Sequence, residues 1–379
     1  MCSVSSLIWV ILLESGPSTN RSSSFSTPEH ASLKDVNVDQ VLLASPRGFC
    51  AGVEMAIKAL IWMVRSFEPP VYCYHEIVHN QIVVDRFRQL GVEFVDDISE
   101  VPKGRPIMLS AHGSAPEVVS EAERSGGFVV NAVCPLVTKV HHEVQVRVGK
   151  GYRIVYVGHE GHEEAVGTMA VAPKEISLVE TAEQVEALPQ FDEPIAILAQ
   201  TTLSHKDWEG VLEATIDKFP DVWMPGRSDL CFATTNRQSA LSAISAQCDA
   251  VIVIGSANSS NTMALAKLAH EAGNTEVFRI NSVSELPGNL EGIVGVTAGA
   301  SAPEELVQAV INKLAPNNGV REISITQEDE YFPPPRELRT LLTSLEAAVH
   351  VMLAVAPNCR KAVRDRDVSA SEVLSVLAH

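Results

Sequence analysis

A chain of 379 residues that is 46% hydrophobic and 20% charged has enough apolar side chains for two or three compact cores, which excludes a disordered or fibrous protein. Its 47 acidic against 29 basic side chains leave a net charge of −18, so neither nucleic acid nor an anionic membrane is expected as a partner. A small phosphorylated ligand remains compatible, because backbone amides, Ser, Thr, Asn and His bind phosphate without a basic surface.

Residues 1–40 read as an unpatterned leader. The apolar run Leu7 to Leu13 is too short to span a bilayer and has no basic residue before it, and the Ser-rich stretch Ser15 to Ser26 holds one arginine, thin support for a transit peptide. The seven cysteines are odd in number and lack tight spacing, unlike a secreted disulfide framework, so a reducing, cytoplasmic compartment is expected. From Val41 onward, β-rich runs alternate with helical patterns: Val41–Ser45, Ile107–Ser110, Val129–Val133, Arg153–Val157, Ile195–Ala199, Val251–Ile254 and Ile293–Thr297. Such alternation predicts an α/β fold layered on parallel sheets. Behind Cys50, Val53, Ala56, Ile57, Leu60, Ile61 and Val64 mark one helix face. Behind Cys134, Pro135 suits the first helical position, and Leu136, Val137, Val140 and Val144 mark a second. Cys231 precedes a third helical stretch, through Leu241, Ile244 and Cys248.

The same device recurs at intervals close to one small α/β unit. Three similar domains around a shared centre are expected, spanning residues 41–134, 135–227 and 228–325, with the strand in 41–50 able to pack with the third. A single doubly wound sheet with insertions would show the same alternation. Pro333 to Pro335 break the pattern, and residues 326–379 form a C-terminal segment with a helix from Glu337 to Val355.

Ligands of parallel α/β sheets gather beyond the carboxyl ends of strands, so the loops there carry the candidate chemistry. They hold His112, His162 with Glu164, Thr201 with Thr202, the run Asn258 to Asn261, and Ser301, and none contains Lys or Arg. The Asn258–Asn261 loop opens a helix and could hold a phosphate there, although Ser and Asn are equally ordinary helix caps. A cysteine at a helix start favours the thiolate that binds metal, whereas a lone buried cysteine is more often packing. Cys50, Cys134 and Cys231 share one position in a repeated unit, while Cys73 lies in a strand-like run and Cys248 on a helix face. Three thiolates suit a [4Fe–4S] cluster with one iron left open, and zinc would favour local Cys-x-x-Cys pairs.

The segments ASPRGFCAGV, HEIVHN, SAHG, CPLVTKVH, GHEGHEE, GTM, AQTTLS, CFATTNRQ, GSANSSNT and TAGASAP stand in order between Val41 and Leu341. In them the chain resembles the 4-hydroxy-3-methylbut-2-enyl diphosphate reductase family of the non-mevalonate isoprenoid pathway. The resemblance implies a pseudo-threefold arrangement of three α/β domains about an iron–sulfur cluster held by Cys50, Cys134 and Cys231. It implies diphosphate binding by His79, His112, His162, Ser259, Ser260, Asn261 and Ser301, a proton donor at Glu164, and Thr201 beside the substrate hydroxyl. It also implies two-electron reductive dehydroxylation to isopentenyl and dimethylallyl diphosphates, with a ferredoxin or flavodoxin as electron donor. Another three-cysteine cluster enzyme, of the dehydratase or quinolinate synthase type, and a non-catalytic redox sensor are the competing readings. Three positions depart from the family's pattern: Glu163 where proline is usual, Ala165-Val166 for a valine followed by a charged residue, and Phe232 for tyrosine.

Overall fold

A computed structural model of the protein describes residues 37–226, 228–273, 276–353 and 364–377. Most of the predicted leader lies outside these residues. Its last four positions, however, belong to the first strand, β1 (Asn37–Ser45), which corrects the expected boundary. Along β1 the side chains are buried without interruption from Val41 to Ala44. Val41 and Leu43 enter one core while Leu42 and Ala44 enter another, as befits a strand covered by helices on both faces.

The chain continues through α1 (Ala51–Ser66), β2 (Val71–Tyr74), α2 (Gln81–Gln89), β3 (Val92–Val95), β4 (Ile107–Leu109), α3 (Pro116–Arg124) and β5 (Val129–Asn131). These strands form a parallel sheet in the order β3-β2-β4-β5. A second stretch follows with α4 (Pro135–Val148), β6 (Arg153–Val157), α5 (Glu163–Val171), β7 (Ile176–Val179), α6 (Ala182–Ala187), β8 (Ile195–Ala199), α7 (His205–Lys218) and β9 (Val222–Trp223). Its sheet has the order β7-β6-β8-β9, again parallel. The third comprises α8 (Phe232–Ser245), β10 (Ala250–Ile254), α9 (Ser260–Glu271), β11 (Glu276–Ile280), β12 (Glu291–Ala298), α10 (Glu304–Leu314) and β13 (Val320–Ser324). Its sheet is β11-β10-β12-β1-β13.

Three separate sheets exclude the single doubly wound sheet. In each, the second strand of the unit is an edge and the first and third are neighbours. The fourth place is taken by β5, β9 and, in the third sheet, β1, which pairs with β12 from Asn37↔Glu291 to Leu43↔Val296. Each fourth strand is followed by one of the three cysteines. The four-strand order thus repeats in all three sheets, the third adding β13 beyond β1, although the chain enters the repeat through its last sheet.

Beyond β13, α11 (Arg336–Leu353) and α12 (Ala370–Leu377) pack on the first unit. Leu338, Leu342, Val368, Val373 and Leu374 join the core built by α1 and β2. Two polar ties reinforce the packing: Ala370 N–H donates to Glu54 Oε2 at 2.7 Å, and Lys58 Nζ donates to Asp365 O at 3.0 Å. The helix after Cys231 ends at Ser245 with Ala246 as its cap, so Cys248 lies in the turn beyond and not on a helix face as expected.

Candidate active site

The loops at the carboxyl ends of β1, β4, β5, β6, β8, β10 and β12 meet around one cavity. All ten residues predicted for the cluster and substrate beyond Glu164 and Thr201 line it, together with those two.

Each cysteine immediately precedes a helix: Cys50 before α1, Cys134 before α4 and Cys231 before α8. The backbone N–H of each is held by a neighbouring cavity loop. Cys50 donates to Ala300 O at 3.2 Å, Cys134 to Ala111 O at 3.0 Å, and Cys231 to Thr201 O at 2.9 Å. These acceptors adjoin or belong to the loops of Ser301, His112 and Thr201, so the same bond ties each thiol to a candidate substrate loop. Gly52 permits the close approach of α1 to the second cysteine, since a methyl group there would meet Cys134 Sγ at 2.8 Å. The sulfur of Cys231 accepts from Thr234 N–H at 3.1 Å.

The helix starts do not by themselves make Cys134 and Cys231 acidic. Burial, then the neighbouring Cys50, raises the pKa of Cys134, and the same two causes push Cys231 up to about 11. Thiols gathered where each opposes ionisation of the next are suited to a cationic metal centre, which supplies the missing positive charge. Cys73 is fully buried in β2, with its thiol pushed up by burial, and Cys248 donates to Ile244 O at 3.2 Å. Neither lines the cavity.

Glu164 lies in the first turn of α5 and is 2% exposed. Its Oε1 accepts from Thr201 N–H at 2.7 Å and its Oε2 from the Thr201 hydroxyl at 3.0 Å. Burial pushes its pKa up to about 7 against the lowering effect of these two bonds, with Asp229 adding to the rise. The pair is therefore a proton-bearing group at neutral pH connected to a hydroxyl, both facing the cavity.

Three imidazoles also line the cavity. The rings of His79 and His112 stack at 4.0 Å with planes 15° apart, and His162 presents an edge at 5.4 Å and 6.2 Å from them. As cap of α5, His162 accepts through Nδ1 from Glu164 N–H at 3.2 Å, which leaves Nε2 as the N–H donor of the neutral ring. Burial, and then His79, lowers the His112 pKa well below the usual imidazole value, and the same causes bring His162 to about 3. Neutral donors of this kind bind an anion by hydrogen bonding. Both ring nitrogens of His79 and Nε2 of His112 are buried without a hydrogen-bond partner among the described residues.

Ser259 caps α9 by accepting from Thr262 N–H, and Ser260 accepts from Gln200 Nε2 at 3.2 Å. Asn261 Oδ1 accepts from Ala300 N–H at 2.9 Å, and the Ser301 hydroxyl donates to His79 O at 2.9 Å. These contacts tie β10, β12 and β2 loops to one another at the same end of the cavity. Asn258 turns away to donate to Glu76 Oε2 at 3.0 Å and does not line it.

Sequence reasoning missed several supports. Gln200 bridges the Thr202 hydroxyl, Ser260 and His159 N–H. Arg237, wholly buried, donates to Gly48 O at 2.8 Å and Phe49 O at 3.3 Å and pairs with Glu328 at 2.9 Å, bracing the loop of Cys50 from the C-terminal segment. Phe332 of that segment also lines the cavity. An arginine inside an apolar helix pattern was the one available signal for this brace.

The model of the LytB protein family matches residues 41–315. The 4-hydroxy-3-methylbut-2-enyl diphosphate reductase of Rhodopirellula baltica is 43% identical over 316 residues, covering 82% of this chain and 98% of that protein. Its namesake in Xanthomonas campestris pv. campestris is 44% identical over 315 residues, covering 80% and 99%. The solved structure of the E-1-hydroxy-2-methyl-but-2-enyl-4-diphosphate reductase from Plasmodium falciparum superposes with a TM-score of 0.78 at 32% identity, covering 82% of this chain and 99% of that one.

Proposed function

The chain belongs to the LytB family of 4-hydroxy-3-methylbut-2-enyl diphosphate reductases, and from that premise we propose how its own residues divide the work. The enzyme is an iron–sulfur oxidoreductase that removes the hydroxyl group of 4-hydroxy-3-methylbut-2-enyl diphosphate with two electrons and two protons, in the last step of the non-mevalonate pathway.

Cys50, Cys134 and Cys231 would hold a [4Fe–4S] cluster. The donor set fits: three soft thiols face one cavity, Gly52 leaves no side chain between two of them, and among the described residues no fourth cysteine lines the space. When bound, the cluster would supply electrons and Lewis-acid chemistry, which side chains lack. His79, His112, His162, Ser259, Ser260, Asn261 and Ser301 hold the diphosphate at the other end, so remote binding energy orients the reacting carbon. When Glu164 is protonated at Oε2, the Thr201 hydroxyl turns to accept from it and relays one proton to the departing hydroxyl, which leaves as water; Glu164, reprotonated from solvent, supplies the second proton to the allylic carbon, directly or through the substrate diphosphate.

The observation that carries this reading is the meeting of three helix-start cysteines and the Glu164–Thr201 pair around one cavity. We further propose a ferredoxin or flavodoxin as donor and a cytoplasmic location. Among the described residues no helix is long and apolar enough to cross a membrane. Anaerobic assay of the purified protein with this substrate and an artificial reductant tests the reading. Release of both isomeric diphosphates is expected, and failure of Cys50→Ser, Cys134→Ser and Cys231→Ser to lower iron content would overturn the ligand assignment.

A further inference from the structure

Glu163 introduces a carboxylate beside the imidazoles assigned to the diphosphate, where a second anion is out of place. Its side chain is 23% exposed, with Oε2 3.9 Å from His112 Nε2 and Oε1 3.9 Å from His75 Nδ1. The Oε2 atom is buried and without a hydrogen-bond partner among the described residues, as are both ring nitrogens of His79. Ligand atoms of His79, His112 and Glu163 lie within 4.8 Å of one another. A shared metal ion would need the two imidazole lone pairs to converge. In stacked rings 4.0 Å apart and 15° from parallel they run side by side, an arrangement suited to two oxygens of a diphosphate.

The surroundings decide how Glu163 accommodates that anion. The loop after β2 brings His75, Glu76 and His79, and β2 itself contributes Cys73 and Tyr74 beneath them. The loop after β3 contributes Asp96, 3.3 Å from His75 Nδ1, and the loop after β4 contributes His112. On its own helix Glu163 is flanked by His162 and Glu164. Asp96 and Glu163 thus share His75, which sits 29% exposed at the rim, while Glu76 faces His79, and among the described residues no Lys or Arg lines this recess. Burial raises the Glu163 pKa, with Glu76 and Asp96 raising it further and His79 and His75 opposing.

We propose that Glu163 is a proton-coupled positioning residue: the diphosphate binds together with a proton on Glu163, which then offers an O–H donor to a phosphate oxygen where the ionised carboxylate would repel it. The proton comes from solvent and returns there on release, so no bond of the substrate changes. The inference rests on the assignment of His79, His112 and His162 to the diphosphate. Linkage fixes its sign. Affinity is full below the Glu163 pKa of the free enzyme and falls about tenfold per pH unit between that value and the higher value beside the diphosphate.

The test is anaerobic titration calorimetry of the oxidised, cluster-loaded enzyme with its substrate and no reductant, between pH 6 and 9. Each titration is run in two buffers of different ionisation heat, so that protons taken up on binding are counted. Wild type should take up about one proton more than Glu163→Gln above the free-enzyme pKa, and its affinity should fall more steeply with pH by about tenfold per unit. Glu163→Ser, which also lacks an ionisable group, should match the glutamine variant and guards against a fault peculiar to that side chain. Equal proton uptake in wild type and both variants, with tight binding retained, would overturn the inference while leaving the histidine assignment intact. Weaker binding by Glu163→Gln at every pH would also overturn it, since Glu163 would then act as a permanent counter-charge to an imidazolium. Substrate affinity unchanged in His112→Ala would instead overturn the assignment on which the inference stands.

Discussion

Glu164→Gln separates proton donation from every other role of the cavity. Glutamine can keep the carbonyl acceptor for Thr201 N–H, 2.7 Å away in the acid, and can donate to the hydroxyl at 3.0 Å, but it has no proton to release. Loss of a general acid costs roughly 10²- to 10⁴-fold in turnover. Because burial puts the carboxyl near 7, the donor form is most of the enzyme at pH 6.5 and about 3% of it at pH 8.5, so wild-type turnover should fall roughly 25-fold over that interval. The glutamine variant should lose this alkaline limb. Stability should move the other way. A carboxyl whose pKa is raised on folding is stabilising below its unfolded value and destabilising as pH rises through about 7, so at pH 8 the neutral amide should be more stable by up to about 3 kcal/mol. Steady-state rates with an artificial reductant, iron and sulfide content, and denaturant unfolding across pH measure all three. Near-normal turnover with an intact cluster, or an unchanged alkaline limb, would refute the donor assignment.

Ser substitution at Cys50, Cys134 or Cys231 should each deplete iron from an expected content of about four per chain, whereas Cys73→Ser and Cys248→Ser should leave it intact, as measured by metal and sulfide analysis. Asn261→Ala should raise KM with little change in kcat, by the equivalent of about 1–3 kcal/mol, because the Ala300 N–H it accepts from and the diphosphate would both lose a partner; steady-state kinetics separate the two constants. Arg237→Met should leave Glu328 without its cationic partner, held by Asn236 Nδ2 alone, and the Gly48 and Phe49 carbonyls without the guanidinium, costing about 3–5 kcal/mol in urea unfolding and lowering cluster retention through the Cys50 loop.

The central strands were legible because burial on both faces writes them as unbroken apolar runs, as in Ala250–Ile254 and Ile195–Ala199. Most edge strands were not, β5 within the run Val129–Val133 being an exception. Val92–Val95, Glu276–Ile280 and Val320–Ser324 are short or carry Glu and Arg on an open side, so the sequence reads there as loop. Site residues were legible for a related reason, since polar side chains directly after an apolar run stand out, and the cysteines announced themselves by recurring before helices. What the linear pattern cannot carry is the long-range bond. The three cysteine amides are held by residues far away in sequence, and the brace from Glu328 through Arg237 to Gly48 joins three distant segments. The placement of β1 explains why the pattern still works. By filling in the third sheet the place that β5 and β9 fill in theirs, β1 brings Cys50 to the position equivalent to Cys134 and Cys231. A cysteine near the chain's start and one near its middle become symmetric partners only when the first strand closes the last sheet. The ring of domains and the ring of thiols are therefore one topological fact, and a chain that failed to insert β1 between β12 and β13 would lose the third ligand along with the fold.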